Sequence, residues 1–223
     1  MYNDNRFVTD NAFNRFVNLD NSVWCIIDFL LKSESKYADY LWKILKYDTM
    51  DCLSQPSLTL EERKNLIYVG NGDAEDFNVF ISPFIDDAQV RQCSHLHIYL
   101  DSVMPKNHIL SVVSYKIECI AHNKIINILG DASRYNPLTN PVEIEDGVVK
   151  TPYKNRVDVM LKSVLADLNG SFIRGVGTLQ FNSTITPQDN AKLSLFNGRS
   201  FLGFSATMST LLSGVSSNSE CGV

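Results

Sequence analysis

Two histidines flank a leucine in a stretch that alternates between apolar and polar residues. The period of two predicts a strand in which His95 and His97 point to the face opposite Leu96. His122 has the same outward parity in the next predicted strand, and three imidazoles on one face can hold a catalytic zinc with an open fourth position. Nothing in the sequence fixes the strand register or specifies an orienting carboxylate. The pattern therefore favours exposed or interface histidines that make assembly depend on pH, and we predict no metal.

Two sets of carboxylates are candidates for a metal-dependent nuclease, which needs clustered acids beside a lysine. In the first set the acids are close in sequence, but they lie in an irregular segment and not at the end of a strand. In the second set the acids lie on predicted strands of unknown register. Neither set forms a site by spacing alone, so we predict no catalytic residue. The sets are Glu143, Glu145, Asp146 and Lys150, and Asp101 with Glu118.

The remaining short motifs also point away from an enzyme. Gly175-Val176-Gly177 lacks the third glycine and the following helix of a dinucleotide-binding loop, so it predicts a tight turn or a close approach of two backbones. The chain contains no nucleophile elbow and no HExxH motif. Its basic residues do not cluster with aromatic ones, as they do in proteins that bind single-stranded nucleic acid. We expect a protein that is not an enzyme and that binds no cofactor.

The negative charge of the chain is concentrated in one segment. The 223 residues carry a net charge of −5, which argues against a protein that coats DNA. Residues 73–101 carry the same net charge, because Arg91 is their only basic residue. Such a segment is either a solvated loop and strand edge or a surface that repels passing nucleic acid. Its acids are Asp73, Glu75, Asp76, Asp86, Asp87 and Asp101.

The cysteines and the apolar runs place the chain in a class of soluble intracellular proteins. Five cysteines without a CxxC motif are typical of free, mostly buried thiols in a reducing compartment. The polar N-terminus does not have the pattern of a signal peptide. The longest apolar run, residues 23–31, is interrupted by Asp28 and is too short to span a bilayer. We expect no contact with a membrane.

The first half of the chain predicts helices behind an N-terminal arm. Residues 1–18 contain aromatic residues among asparagines and are expected to dock as an arm, with Phe7 and Phe13 as anchors. Asp20 is expected to cap a helix that runs to about Lys32, and Ser35 a second helix. Thr59 to Glu62 has the pattern of a capping box that starts a helix through Tyr68. Its apolar side is predicted as Leu60, Leu66 and Ile67.

The second half predicts strands, one long loop and one strong helix. Residues 77–81, 96–100, 109–121, 178–182 and 200–208 are the predicted strands. Residues 130–152, which include Tyr135, are expected to form an interaction loop or an extended hairpin. Thr151 and Pro152 predict the start of a helix that ends near Leu168 and lays an apolar stripe on the sheet. Lys154, Asp158, Lys162 and Asp167 are expected to face away from the sheet.

This order of elements predicts an α+β fold with a small antiparallel β-sheet covered by helices. The expected organisation is an arm at 1–18, a single domain at 19–212 and a flexible tail at 213–223.

Three stretches resemble neck, or head–tail joining, proteins of tailed bacteriophages, and they are most similar to those of the crAss-like podoviruses of gut Bacteroidales. The resemblance covers residues 20–210 and includes no short catalytic signature. Its stretches are Leu41 to Thr49 with Leu53 to Tyr68; Arg156-Val157-Asp158 with Leu168-Asn169-Gly170 and Gly175-Val176-Gly177; and Phe196 to Arg199 with Gly203-Phe204 and Met208-Ser209-Thr210.

The resemblance implies a structural virion protein of the neck, made in the cytoplasm of the bacterial host. Such proteins form a homo-oligomeric ring, commonly of twelve copies, that joins the portal to the adjacent tail ring or hub and retains double-stranded DNA without reading its sequence. On this basis the acids of residues 73–101 are candidates for the channel surface. Phe7, Phe13, Tyr135, Glu143 and Glu145 are candidates for subunit contacts. A metal-dependent nuclease and a small regulatory adaptor remain the alternatives.

Overall fold

The computed structural model describes residues 19, 21–83, 91–106, 110–130, 143–145, 148–150, 153–181, 191–196 and 200–213. Four features predicted from the sequence lie outside these residues: the arm at 1–18, the cap Asp20, Tyr135 in the long loop, and the tail from 214 onward. Asp86, Asp87 and Asp146 also lie outside them. Within the described residues the fold is α+β, with a mostly antiparallel sheet and helices, as the sequence predicted.

The described residues form four α-helices. They are α1 (Ser22–Lys32), α2 (Lys36–Lys46), α3 (Leu60–Lys64) and α4 (Arg156–Leu168). Ser35 caps α2 as predicted, since its hydroxyl accepts a hydrogen bond of 2.9 Å from the Ala38 amide. The capping box of α3 is also confirmed. The Thr59 hydroxyl accepts from the Glu62 amide, and the Thr59 amide donates to the Glu62 carboxylate.

Two helix boundaries differ from the prediction because strand pairing takes residues away from the helices. α3 ends at Lys64, since Tyr68 donates its amide proton to the Val79 carbonyl and Ile67 bridges to Val79. Leu60 is therefore 43% exposed instead of buried. α4 begins at Arg156 and is capped by Asn155, because residues 153–155 pair with residues 127–129 as a strand. The predicted start at Thr151 and Pro152 was wrong, and those two residues lie outside the described part.

The main sheet is built on three long antiparallel strands. β2 (Ser94–Pro105), β3 (Leu110–His122) and β12 (Phe201–Ser213) lie side by side in that order. β1 (Val79–Phe80) pairs with β2 in parallel, and β10 (Gln180–Phe181) and β11 (Ala191–Phe196) both pair with β12. The short strands β4 to β9 form three separate pairs. They are Asn127–Leu129 with Tyr153–Asn155, Glu143–Glu145 with Val148–Lys150, and Phe172–Ile173 with Gly177–Thr178.

The hydrophobic core lies between the helices and one face of this sheet, here called the core face. Alternate residues of each long strand supply this face, as the period of two predicted. Trp42 is the largest fully buried side chain, and its indole donates a 3.1 Å hydrogen bond to the Leu30 carbonyl, which joins α2 to α1. The buried apolar residues of the core face are Leu96, Ile98, Val113, Tyr115, Ile117, Cys119, Ala206 and Met208.

The stripe of α4 is only partly as predicted. Val157, Met160, Val164 and Leu168 are fully buried. Asp167 was expected to face away from the sheet, but it is buried and its carboxylate accepts a short hydrogen bond from the Ser35 hydroxyl. The helix thus contacts the start of α2 through a polar pair that periodicity did not reveal.

Two glycines are required where backbones approach closely. Gly177 closes the turn of β8 and β9 with a φ of 99°, and a Cβ atom there would lie 2.9 Å from the Thr210 hydroxyl. The tight turn, one of the two predicted alternatives for this motif, is therefore confirmed, while the close contact at Gly177 is with a side chain rather than a second backbone. At Gly203 a Cβ atom would lie 2.7 Å from the Cys119 carbonyl oxygen. β11 was not predicted, and β12 extends to Ser213 rather than to Met208.

Arg156, the first residue of α4, is fully buried and joins five segments of the chain. Its guanidinium donates hydrogen bonds of 2.7–3.0 Å to four backbone carbonyls and lies 3.4 Å from the Ser94 hydroxyl. Two of these carbonyls belong to the C-terminal turn of α2 and the residue after it, where helical carbonyls have no partner within the helix. The carbonyls are those of Ile44, Tyr47, Thr49 and Ile125.

We expect Arg156→Lys to lower the free energy of unfolding by about 3 kcal/mol and the Tm by roughly 6–12 °C. Lysine keeps the charge but has no planar fork, so it cannot reach all of these acceptors. Urea and thermal unfolding measure the effect. Arg174→Lys, at an exposed position, is the matched control and should change stability by less than about 0.5 kcal/mol. Equal effects of the two changes would contradict the role given to Arg156.

Candidate assembly surfaces

The face of the sheet opposite the core face carries His95 and His97, and both are buried. Their relative exposures are 0% and 1%, so the prediction of exposed histidines was wrong. The ring of Phe80 stacks on His97, with centroids 4.8 Å apart and planes inclined by 12°. The ring of Phe201 lies 5.7 Å from that of His95. Aromatic residues from β1 and β12 therefore cover this face where the alternation predicted solvent.

Burial keeps both imidazoles neutral at physiological pH. Loss of hydration lowers the pKa of His95 to about 3, and the neighbouring His97 and Arg91 lower it further. Loss of hydration also lowers the pKa of His97 to about 4, although a contact of 2.8 Å between its Nδ1 and the Ser82 carbonyl opposes the shift. Cys93 lies 3.0 Å from His95, and burial raises the pKa of its thiol to about 12, so this pair contains no ready thiolate.

Glu118 and Tyr99 extend the same polar cluster. The strand register places Glu118 opposite His97 and Ser205, and the Tyr99 hydroxyl donates a 2.9 Å hydrogen bond to its carboxylate. Burial raises the pKa of Tyr99, and the charge of Glu118 raises it further. Within the described residues, no three His, Cys, Asp or Glu side chains are grouped so that they could hold a metal ion. His122 is not part of this polar cluster. It accepts a hydrogen bond from the Lys124 amide, and its ring packs edge-on against that of Phe201.

The described acids of residues 73–101 do not form one cluster. β1 runs parallel to β2 with Val79 beside Leu96, so residues 73–76 lie near the start of β2. Asp73 caps a short turn there, and the Glu75 carbonyl accepts a 3.0 Å hydrogen bond from Arg91. Asp101 lies at the other end, in a bulge of β2, and is exposed. Asp76 is exposed as well, so three of the described candidates for the channel surface, Asp73, Asp76 and Asp101, are open to solvent.

The other predicted acids lie on a separate hairpin. Glu143 and Glu145 belong to β5, which pairs with β6 in the register Glu143 to Lys150. A hairpin within residues 130–152 is one of the two forms that the sequence predicted. Asp101 and Glu118, the second nuclease candidates, are separated along the sheet by the cross-strand pair of Tyr99 and Lys116.

A groove of about 450 Å³ lies along the outer edge of β2, where β2 continues past its last pairing with β1. From Tyr99 to Pro105 this edge has no neighbouring strand among the described residues, and such an edge can accept a further strand. Leu19, at the start of the described chain, is one wall of the groove. We call this site the N-terminal groove; it is lined by Leu19, Val23, Trp24, Ile81, Pro83, Tyr99, Leu100 and Asp101.

A second apolar groove lies on the opposite side of the protomer, between α4 and β12. Leu161 and Leu165 from α4 face Phe204, and Leu193 of β11 is the cross-strand neighbour of Phe204. Leu193 is 53% exposed. The groove holds about 510 Å³, and its polar rim consists of Asp158 and Lys162. We call this site, together with Leu193, the α4 groove.

A third apolar surface is formed where the long strands extend furthest. Met104 of β2 and Leu211 of β12 both pair with Val112 of β3, so the three side chains share one face. Met104 is 45% exposed and Leu211 is 46% exposed, whereas Val112 between them is buried. We call these residues the strand-end patch.

Sequence reasoning missed the last two surfaces. The sequence assigned Leu161 and Leu165 to the apolar stripe of α4 that lies on the sheet. The width of that stripe was the only indication that part of it is not covered by the sheet. Met104 and Leu211 follow the alternation of buried strands. Their exposure depends on how far the strands extend, which no local pattern records.

A comparison with models of protein families identifies the family of the chain. The YomW family model matches residues 38–202, which is most of the sequence. The chain belongs to the YomW family. This family is phage-derived and of Bacillus type, so the protein is phage-related, which agrees at this level with the resemblance noted above. No curated protein and no solved structure matches the chain. Among the described residues, none of the helices has the length and hydropathy needed to cross a membrane.

We expect the stability of this YomW-family protein to fall as the pH decreases from 7.5 to 5. The folded pKa values of His95 and His97 lie below the unfolded value of 6.5, so protons bind preferentially to the unfolded chain once the pH drops below 6.5. Each histidine should lower the free energy of unfolding by about 2 kcal/mol at pH 5 relative to pH 7.5. Urea unfolding across this range measures the slope.

The partly exposed His122 supplies the control for this experiment. His122→Gln should leave most of the pH dependence in place, while His95→Phe should remove about half of it. A wild-type stability that is constant between pH 7.5 and 5 would show that the two buried imidazoles are not neutral in the folded protein.

Proposed function

We propose that this protein is a structural component of the phage neck that forms a homo-oligomeric ring between the portal and the tail. The observation that carries the proposal is the presence of two unlike apolar surfaces on one protomer. The strand-end patch and the α4 groove share no residue and lie on opposite faces of the main sheet. Exposed apolar surfaces of this kind are characteristic of protein–protein contacts.

Two unlike surfaces favour head-to-tail association. When one surface of a subunit binds a different surface of the next, the row of subunits keeps one free surface at each end. The row closes into a ring if the rotation between neighbouring subunits brings its two ends together. A two-fold dimer, in contrast, uses the same surface on both partners. The twelve-fold symmetry implied by the neck resemblance is one such closed arrangement.

The side chains of the two surfaces fit this contact. Met104 is long and unbranched, so it can adapt to an irregular apolar groove. The α4 groove offers Leu161, Leu165 and Phe204 as its walls, with room for more than one side chain. Asp158 and Lys162 at the rim can bind backbone groups of the incoming strand end and fix its direction.

Three further features support a passage for DNA and contacts with neighbouring rings. The exposed acids Asp73, Asp76 and Asp101 would repel the phosphate backbone, which lets DNA slide through a lumen without sticking. The hairpin of Glu143 and Glu145 and the N-terminal arm would contact the portal or the next tail ring. The phage-derived family agrees with a location in the virion.

The test uses one charged substitution on each surface. We expect Met104→Lys and Leu193→Lys each to prevent ring formation, measured by mass photometry of the protein alone and with the portal of the same phage. Both positions are exposed, so the folding free energy should change by less than about 0.5 kcal/mol. Each single variant keeps one intact surface, so a mixture of the two should give dimers and no rings. Val69→Lys, at another exposed apolar position, should form rings normally.

Two results would contradict the proposal. A wild-type protein that stays monomeric or dimeric with the portal present would favour a regulatory adaptor or a nuclease, and activity with divalent metals would then be measured. Larger rings from the mixture of variants would show that other surfaces hold the subunits together.

A further inference from the structure

The N-terminal groove is open, and the described residues do not fill it. Its walls are mostly apolar, and Trp24 is only partly buried although it lies between Val23 and Tyr99 in the lining. The groove shares no residue with the strand-end patch or the α4 groove. Its occupant is therefore a question separate from ring formation.

The position of Leu19 indicates which segment lies nearest. Leu19 lines the groove and is the first described residue, so the preceding eighteen residues start at the mouth of the groove. An extended chain spans about 3.3–3.6 Å per residue, which puts Phe16 within about 10 Å of Leu19 and Phe13 within about 20 Å. We propose that the N-terminal groove is the docking site of the chain's own N-terminal arm, with Phe13 and Phe16 as the side chains that enter it.

The chemistry of the arm complements the groove. A phenylalanine side chain of the arm that packs against Trp24 and Tyr99 buries apolar area on both partners. Contacts between aromatic rings add to the binding free energy gained by this burial. Arg15 lies between the two phenylalanines in sequence, and the rim carries Asp101 without a basic residue in the lining. The edge of β2 beside the groove can also pair with an extended segment.

Attachment to the same chain favours this occupant over a second copy. A segment tethered a few residues from its site has an effective concentration in the millimolar range, which free subunits do not reach in dilute solution. Docking of residues 13–16 fixes the base of the arm and leaves the segment around Phe7 free for other contacts. The inference goes beyond the proposed function and does not depend on it.

The two tryptophans of the chain make the docking measurable in the full-length protein. Trp42 is 1% exposed, so acrylamide quenching of fluorescence reports mainly on Trp24. We expect the double variant Phe13→Ala/Phe16→Ala to raise the quenching constant roughly twofold and to shift the emission to longer wavelength, because the aromatic cover of Trp24 is lost. Asn11→Ala/Asn14→Ala changes the same segment without removing an aromatic ring and should quench like the wild type.

Three results would overturn the proposal. Equal quenching of the phenylalanine variant and the wild type would show that the arm does not cover Trp24. An equal rise in both double variants would show that the aromatic rings are not the anchors. The third result is a quenching constant of the wild type that falls as the protein concentration rises. If this fall occurs at concentrations at which Met104→Lys remains monomeric, a second copy of the chain covers Trp24 and occupies the groove. Ring formation is read separately by mass photometry, so failure of either proposal leaves the other standing.

Discussion

The fold depends on a buried cation that, among the residues the structure describes, has no carboxylate as a hydrogen-bond partner. Arg156 donates to four carbonyls from the end of α2, the following loop and the turn after β3. Burial lowers the pKa of Arg156 and raises that of the nearby Asp48 carboxyl. The guanidinium donates its hydrogen bonds to backbone carbonyls, and the nearby Asp48 also favours its charged form. Because these carbonyls come from segments far apart in sequence, the position of α4 on the sheet and the end of α2 are fixed together.

Among the described residues the main sheet is covered on both faces but open along part of its edges. Helices cover the core face, and the opposite face carries the buried His95, His97 and Glu118, with the half-buried Tyr99 hydrogen-bonded to Glu118. β2 extends beyond its pairing with β1, and β12 extends beyond its pairing with β11. The exposed Met104 and Leu211 lie on these extensions. In the proposed ring, folding and association would use different residues, because Met104 and Leu193 are exposed and lie outside the core.

Local patterns in the sequence predicted the elements well and their surroundings less well. Capping residues such as Ser35 and Thr59 act through hydrogen bonds within one turn, so the starts of α2 and α3 were correct. The end of α3 and the start of α4 were wrong because strand partners distant in sequence compete for those residues. The histidines show the same limit, since alternation fixed the face on which they lie but not that Phe80 and Phe201 cover it. Arg156 was noticed as part of a motif, yet its burial follows from tertiary contacts alone.

The buried titratable groups and the accessible apolar grooves of this protein have different roles. A buried site for chemistry would be expected to combine perturbed pKa values with access to a substrate. In this protein His95, His97 and Cys93 are buried, whereas Tyr99, whose pKa is also raised, lines the N-terminal groove. These pKa shifts are caused mainly by burial, and the accessible grooves are lined largely by apolar side chains. In the ring proposed above, this arrangement would let the subunits keep one shape while their exposed apolar surfaces contact neighbouring subunits.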